Sequence, residues 1–258
     1  MPHEMHEDNR RVWNISARAG YGQVDTTRDW RACHADAARF FAPQELAWLK
    51  DVAGARACVL GSGDNLAVFA LAGMGARVTS VDISEEQLRV AAGRADEVGA
   101  RIEFVRADVT DLGVLATGTF DLVYTGGHVA VWVSDLNAYY REAVRILKPG
   151  GLFVVNEYHP FRRLWKQERG GLRLEAGYLE RGPFHYDRAD LPGVEPGELT
   201  SHEFHWTVGE FVRAVRDAPA RLLDVDEFGD DAESWEEADL AGLPRCLMIV
   251  GRKEGDTC

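Results

Sequence analysis

The sequence lacks the features that mark disulfide-stabilised, zinc-binding and membrane-inserted proteins. Its 258 residues include four scattered cysteines and no Cys-x-x-Cys pair, so we expect neither a disulfide framework nor a metal site. No apolar run approaches the length that spans a bilayer. The chain starts with acidic residues where a secretory signal needs basic residues followed by an apolar stretch. We therefore expect a cytoplasmic protein.

The sequence also lacks a cluster of basic residues. Its 29 lysines and arginines are dispersed and are outnumbered by 42 aspartates and glutamates, which gives a formal net charge of −13. A strongly acidic protein without a basic patch is repelled by the phosphate backbone. We therefore expect no nucleic acid partner and look for a small-molecule ligand instead. The sequence is compatible with a homodimer.

Short apolar strands alternate with helices through most of the chain. We predict strands at residues 57–60, 77–81, 101–106, 120–125, 152–156, 221–228 and 246–251. The predicted helices cover residues 66–74 and 136–147, and two more begin at the capping residues Ser84 and Thr207. This alternation is typical of an α/β fold with a mostly parallel sheet covered by helices on both faces.

Two segments depart from this alternation. Residues 9–50 are helical in pattern and rich in aromatics, and Pro43 suits the first position of a helix. Residues 158–200 are rich in glycine, proline, arginine and aromatics, as is typical of a functional insertion. We therefore predict an N-terminal helical cap segment (1–50) and a main domain (51–258) with a lid insertion at about residues 158–205.

A glycine loop and two carboxylates follow three consecutive predicted strands. Gly61 and Gly63 end the first strand and open a helix, where bare backbone can approach a ligand. Asp82 ends the second strand, where a carboxylate can bind both ribose hydroxyls, and Asp108 follows the third. These strand ends meet at one edge of the sheet, so they predict an adenosine pocket. A dinucleotide would want a third glycine where this chain has Leu66, which argues against a nucleotide-dependent oxidoreductase.

Five segments together resemble the successive motifs of class I S-adenosylmethionine (SAM)-dependent methyltransferases: residues 59–63, 77–84, 107–109, 120–124 and 147–151. The N-terminal Asn9–Asn14 segment and residues 157–161 are similar to a bacterial small-molecule subgroup of that family. The resemblance implies a Rossmann-like, seven-stranded sheet whose last strand is antiparallel, and SAM as the cofactor. The residues that it implies for cofactor binding are Gly61, Ser62, Gly63, Asp64, Asn65, Asp82, Ile83, Asp108, Val109, Thr125 and Gly126.

The loop differs from the family pattern at two positions. Val59 stands where the family often has an acidic residue, and Asn65 stands where it often has a third glycine. Asparagine tolerates left-handed backbone angles better than most residues, so we expect the loop to close. The group that holds the methionine end of SAM stays open among Asp64, Asn65, the backbone of residues 125–127 and the aromatic N-terminal segment.

Candidate residues for the methyl acceptor lie after the fourth and fifth strands. His128 or His159 can remove a proton from an acceptor, and Glu157 can bind or orient it. Each of the three can equally serve a structural role at a strand end. The aromatics that we predict to line the acceptor pocket, or else to cover the core, are Trp13, Tyr21, Trp30, Trp132 and Tyr158.

These patterns predict an enzyme that transfers the methyl group of SAM to a small molecule by direct displacement. Such a reaction mainly requires that the acceptor is held in line with the methyl group and that one proton is managed. The alternative from another class is a non-catalytic SAM-binding regulatory protein.

Overall fold

The computed structural model describes residues 2–20, 29–63, 65–168, 171–229, 234–235, 238–239 and 242–255. Seven strands form one sheet: β1 (Arg56–Leu60), β2 (Arg77–Asp82), β3 (Ile102–Arg106), β4 (Phe120–Gly126), β5 (Leu147–Tyr158), β10 (Ala220–Phe228) and β13 (Cys246–Lys253). Short antiparallel pairs are formed by β6 (Trp165–Glu168) with β7 (Gly171–Leu174), β8 (Phe184–Asp187) with β9 (Thr200–Glu203), and β11 (Ser234–Trp235) with β12 (Ala238–Asp239).

The order of strands in the large sheet is β3-β2-β1-β4-β5-β13-β10. The first five strands are parallel to one another, whereas β13 runs antiparallel to both β5 and β10. The strand order reverses direction between β1 and β4, and ligands bind at such switch points beyond the carboxyl ends of the strands. The predicted seven-stranded, mostly parallel Rossmann-like sheet is confirmed.

Seven helices are present in the described residues: α1 (Pro2–Arg18), α2 (Trp30–Ala35), α3 (Pro43–Leu49), α4 (Leu66–Gly73), α5 (Glu85–Val98), α6 (Leu136–Ile146) and α7 (Val208–Asp217). Side chains alternate along β1, so that Cys58 and Leu60 pack with α6 and α7, whereas Ala57 and Val59 pack with α3 and α4. None of the described helices is long and apolar enough to cross a membrane.

The predicted caps account for where several helices begin. Ser84 accepts a hydrogen bond from the backbone N–H of Gln87 and starts α5. Thr207 and Glu210 form both halves of a capping box at the start of α7. Pro43 occupies the first turn of α3, as predicted.

Residues 158–205 contain more regular structure than their composition indicates. The two hairpins β6–β7 and β8–β9 lie in this segment, and a 3₁₀ turn (Pro160–Arg163) connects it to β5. Helix α1 packs against β9 and against α5, so the N-terminal helix and the insertion meet. The division into an N-terminal segment and a main domain stays a prediction.

Candidate active site

The loop between β1 and α4 turns on two glycines in left-handed conformation. Gly61 has φ +58° and Gly63 has φ +48°. A β-carbon on Gly61 would lie 2.3 Å from Val129 Cγ1, so the loop is packed directly against the segment after β4. Ser62 is buried and its hydroxyl lies 2.6 Å from that of Ser80 on β2. The loop is therefore fixed to two neighbouring strands.

Asp82 connects this loop to the start of α5. One carboxylate oxygen accepts from the backbone N–H of Gly63 and the other from that of Ser84, each at 2.7 Å. The side chain lies at the carboxyl end of β2 and is almost completely buried. The predicted ribose-binding carboxylate thus stands beside the loop that it is expected to serve.

Asn65 does not adopt the left-handed conformation that we expected, since its φ is −59°. It caps α4 instead, because its side-chain oxygen accepts from the N–H of Ala67 at 2.8 Å. Its amide nitrogen donates to the carbonyl of Gly126 at 3.2 Å and so links the loop to the end of β4. Val59 is buried in the core, and Asp64 lies outside the described residues.

Asp108 lies beside Ile83 at a cavity of about 140 Å³, which the first two turns of α1 cover. Its carboxylate accepts from the N–H and the hydroxyl of Thr110, and from His6 at 2.6 Å. Burial opposes ionisation, but these hydrogen bonds outweigh it and lower the pKa of Asp108. Val109 points into the core below the cavity.

Helix α1 provides contacts to the site that the sequence did not indicate. The backbone N–H of Ser134 donates to His6 Nε2 at 3.0 Å. The proton of the neutral imidazole is therefore on Nδ1, from which it is donated to the carboxylate of Asp108. Asn9 exchanges two hydrogen bonds with the backbone of His202 on β9, and Asn14 accepts from the hydroxyl of Ser84. The helix therefore spans the cofactor side and the insertion.

At the end of β4, the backbone faces the loop and the side chains face the core. The hydroxyl of Thr125 is buried against Tyr139, so its contribution to a ligand site comes from its backbone. A β-carbon on Gly126 would lie 2.7 Å from both the carbonyl oxygen of Asn156 and the hydroxyl of Tyr124. Only glycine fits at this position.

Four of the residues that we predict to lie near the methyl acceptor form one aromatic group beside the ends of β4 and β5. The rings of Trp13 and Trp132 meet edge to face with centroids 5.2 Å apart. The ring of His128 lies 6.2 Å from Trp132 and 4.7 Å from Tyr158. The guanidinium of Arg162 stacks on the ring of Tyr158, 3.9 Å from its centroid. We call Trp13, His128, Trp132 and Tyr158 the aromatic group.

His128 has a φ of +87°, unlike the other described non-glycine residues, and its ring is held by the insertion. Arg163 donates to its Nε2 and also contacts Glu203 of β9. Desolvation, followed by the charges of Arg163 and Arg162, holds the pKa of His128 well below its ordinary value. The imidazole is therefore neutral near pH 7. Neither Arg163 nor Glu203 had a sequence signal, because nothing local distinguishes them from other charged residues of the insertion.

Glu157 is buried beneath the segment that carries His128. Its carboxylate accepts from the backbone N–H of Ala130 at 3.1 Å. Burial raises the pKa of Glu157 to about 7, although the backbone N–H groups of residues 128–130 act in the opposite direction. Because the carboxylate is directed at this backbone and the residue is 2% exposed, it positions the segment rather than contacting an acceptor.

Glu157 is expected to make the folded protein less stable as the pH rises. Below pH 4.5, the ordinary pKa of a glutamate, the carboxyl group is protonated in both the folded and the unfolded protein. Between pH 4.5 and about 7 the unfolded chain ionises while the folded one stays neutral, which removes about 3 kcal/mol of stability by pH 8. Denaturant unfolding at pH 5 and pH 8 should show that Glu157→Gln loses most of this contribution to the pH dependence.

A second substitution separates charge from hydrogen bonding. Glu157→Leu also removes the titrating group, but it leaves the buried N–H of Ala130 without its acceptor. It should therefore be about 1–3 kcal/mol less stable than Glu157→Gln at both pH values. An unchanged pH dependence in both variants would contradict the assignment.

Two other predicted residues lie apart from the aromatic group. His159 is fully buried, contacts Glu227 of β10 at 2.6 Å and accepts from the N–H of Phe161, so its imidazole caps the 3₁₀ turn. Trp30 packs with Phe69 and α5, and its ring is stacked against Arg94. We therefore do not propose His159 as a proton acceptor or Trp30 as an acceptor contact. Tyr21 lies outside the described residues.

A larger cavity, of about 910 Å³, opens at the opposite edge of the sheet. Arg56, Arg77 and Arg101 at the starts of the first three strands contribute to it, and none of the predicted site residues does. Ligands of open α/β sheets bind beyond the carboxyl ends of the strands, so volume alone does not locate the active site here.

Comparisons with known proteins identify the family of this chain. Residues 58–155 match the profile of the family described as Methyltransferase domain. The ubiquinone biosynthesis O-methyltransferase of Bordetella avium is 31% identical over 177 residues, which cover 63% of this chain and 73% of that protein. The chain belongs to the class I SAM-dependent methyltransferases. SAM is thus the cofactor of its family, as predicted.

Other relatives of this methyltransferase extend the comparison. The ubiquinone biosynthesis O-methyltransferase of Xanthomonas oryzae is 32% identical over 151 residues, or 58% of this chain, and the match spans 61% of that protein's length. A SAM-dependent methyltransferase structure from Mesorhizobium loti has 27% identity and a TM-score of 0.62, covering 81% of this chain and 97% of its own. A Listeria monocytogenes structure, at 17% identity and a TM-score of 0.63, covers 82% of this chain and 98% of its own and shares the fold.

The residues present fit SAM. Gly61 and Gly63 turn the loop at the carboxyl end of β1, Asp82 stands beside it at the ribose position that the family implies, and Ile83 and Asp108 border a small cavity. These residues would hold the adenosine part, and the backbone of Gly126 lies next to the loop. SAM supplies a methyl group activated by a positively charged sulfur.

Proposed function

We propose that this methyltransferase transfers the methyl group of SAM to an oxygen atom of a small aromatic molecule. The observation that carries the proposal is the aromatic group, which lies after β4 and β5 and next to the cofactor loop. Flat side chains favour flat ligands through edge and stacking contacts. The similar curated proteins are named O-methyltransferases, which supports oxygen as the methylated atom.

The chain's own residues would bind and orient the acceptor. Trp13 from α1, Trp132 from the segment after β4 and Tyr158 from β5 would contact the ring of the acceptor. The ring of His128 contacts those of both Trp132 and Tyr158. Residues of α1 and of the insertion hold this arrangement together through Asn9 and His202. Such positioning supplies much of the rate enhancement in a direct displacement.

The first test is binding and turnover. Calorimetry should detect binding of SAM and of S-adenosylhomocysteine at concentrations below about 1 mM. Aromatic hydroxyl or carboxyl compounds should increase the rate at which the enzyme releases S-adenosylhomocysteine. Trp132→Ala should raise the KM for the acceptor by about tenfold and leave the affinity for SAM unchanged. Trp48→Ala, on the distant helix α3, is the matched control and should change neither. Binding of SAM without turnover of any acceptor would favour the regulatory alternative.

A further inference from the structure

Three arginines that stand in register line the cavity of about 910 Å³ at the amino edge of the sheet. Arg56 and Arg77 are paired positions of the parallel strands β1 and β2. Arg101 immediately precedes Ile102, the β3 partner of Val78, so it continues the same row. Adjacent strands lie about 4.8 Å apart, so the three backbone positions span about 10 Å. All three side chains are exposed, and we call them the arginine row.

No guanidinium of the arginine row forms an ion pair or a hydrogen bond with the part of the chain that the structure describes. Other basic residues near the start of β5 are used differently, since Arg252 donates to the carbonyl of Gly150 and Lys253 to that of Leu147. Like charges at paired positions of neighbouring strands repel each other. The described residues therefore leave the row without the negative groups that would offset this repulsion.

The cavity is positive within an acidic protein. Two acids, Asp96 and Glu103, also line it, so its ionised side chains carry one net positive charge when histidine is counted as neutral. Glu103 is engaged with Thr79 on β2, whose hydroxyl donates to it at 3.0 Å. The whole chain has a net charge of −13. A cleft lined mainly by charges of one sign concentrates ligands of the opposite sign, so this edge attracts anions.

The alternative role of the arginine row is to neutralise the carboxyl ends of α4 and α5, which lie at the same edge. Cations near the carboxyl end of a helix stabilise it. Both helix ends, however, are capped by backbone, since the N–H of Met74 donates to the carbonyl of Ala70 and that of Gly99 to the carbonyl of Ala95. A stabilising role would therefore act through charge alone, and it predicts that removal of one arginine destabilises the protein.

The floor of the cavity is apolar. Val78 and Ala95 are buried in it, and Ile102 and Phe104 of β3 are partly buried beside them. Ligand sites commonly combine an apolar lining with a few polar groups that fix the orientation of the ligand. An apolar floor beneath exposed arginines suits a molecule that has an apolar body and several anionic groups.

We propose that this cavity is a second ligand site, separate from the cofactor loop, which binds an organic anion with two or more phosphate or carboxylate groups. The arginine row holds the anionic groups, because the planar guanidinium matches the geometry of both phosphate and carboxylate. The apolar floor holds the body of the ligand. The inference is independent of the proposed function, since no residue that we assign to SAM or to the methyl acceptor lines this cavity.

The first test uses inorganic pyrophosphate and ADP, which carry two phosphates without and with an organic body. The whole protein is first saturated with S-adenosylhomocysteine, so that the adenosine pocket is occupied, and salt is kept at about 50 mM without magnesium. Calorimetry should give a Kd below about 1 mM for pyrophosphate and at least about fivefold tighter binding of ADP. Citrate tests carboxylates, and tighter binding of citrate than of pyrophosphate would identify a polycarboxylate ligand. No binding of any of the three at about 10 mM would overturn the inference.

The second test compares Arg77→Gln, in the middle of the row, with Arg221→Gln. Arg221 is also exposed near the start of a strand and is paired in register with an arginine, Arg252, but it does not line the cavity. Arg77→Gln should weaken anion binding by about 10-fold or more, because charge-assisted hydrogen bonds are lost, and should leave the affinity for SAM unchanged. Arg221→Gln should change neither affinity. Equal losses in the two variants would indicate unspecific attraction of anions and overturn the inference.

The third test measures thermal unfolding and separates a ligand site from a helix-stabilising role. An anion that binds only the folded protein should raise the Tm of the wild type by about 3–6 °C at ten times its Kd. Arg77→Gln should lose most of this shift, while its Tm without ligand should equal or exceed that of the wild type, because repulsion within the row is reduced. A lower Tm of Arg77→Gln without ligand, together with no shift of the wild type by any anion, would assign the row to the helix ends and overturn the inference.

Discussion

Gly61→Ala is expected to lower the free energy of unfolding by about 2–5 kcal/mol and to abolish detectable SAM binding. The left-handed backbone at φ +58° costs a residue with a β-carbon about 1–2 kcal/mol. The new carbon would also lie 2.3 Å from Val129 Cγ1 and 2.8 Å from Cγ2, and such crowding costs about 1–3 kcal/mol. To relieve it, the loop must move away from the segment after β4, which separates Asn65 from Gly126. Denaturant unfolding and calorimetry with SAM measure the two effects.

Gly54 provides the matched control, because it also has a positive φ, +78°, but no atom lies within 4 Å of the position that a β-carbon would take. Gly54→Ala should show the backbone cost alone and bind SAM normally. In the double variant Gly61→Ala, Val129→Ala, the two colliding methyl groups are absent and the remaining contact is 3.1 Å, so SAM binding should partly return. Equal losses in Gly54→Ala and Gly61→Ala would show that the contact with Val129 is unimportant.

The positions of the candidate cofactor residues could be predicted because their signals are local. Gly61 and Asp82 end their strands in the sequence pattern, and the structure ends β1 at Leu60 and β2 at Asp82. The left-handed backbone that the sequence predicts for Asn65 is wrong, since its φ is −59°. An asparagine immediately before an apolar helix is also an N-cap signal, and that interpretation would have been correct.

The start of β5 shows why a turn signal can mislead. The sequence at residues 148–151, Lys-Pro-Gly-Gly, predicts a break before a strand at Leu152. In the structure β5 begins at Leu147, which pairs with Phe120, and the next pair is Leu122 with Leu152. The extra residues form an irregularity within the strand, because pairing with β4 on both sides outweighs the local preference for a turn.

The arrangement of the candidate acceptor residues could be predicted only in part. Trp13, Trp132, His128 and Tyr158 were identified from their places in the strand order, but their partners were not. His6 and Asp108 are 102 residues apart, and Arg163 and Glu203 are 40 residues apart. A single sequence contains no signal for such pairs, since the contacts depend on how α1 and the insertion pack over the sheet.

Asp82→Ala is expected to weaken SAM binding by at least about 100-fold. The carboxylate fixes both Gly63 and the start of α5 at 2.7 Å, and each hydrogen bond to a charged group contributes about 1.5–3 kcal/mol. Its loss releases the loop and removes the group that the family uses for the ribose. Asp82→Asn retains one accepting oxygen, so its affinity should lie between those of the wild type and Asp82→Ala. Calorimetry with SAM and with S-adenosylhomocysteine measures both.

Asp121 is the control for this prediction, because it has similar contacts at the other edge of the sheet. It accepts from the backbone N–H of Arg56 at 2.9 Å and from Lys148 at 2.6 Å, at the amino ends of β1 and β4. Asp121→Ala removes these two hydrogen bonds without touching the loop, so it should alter stability and not SAM affinity. If the two alanine variants bound SAM equally well, the carboxyl edge of β2 would not be the cofactor site. A loss confined to Asp82→Ala requires that the ligand lies where β1 and β2 end.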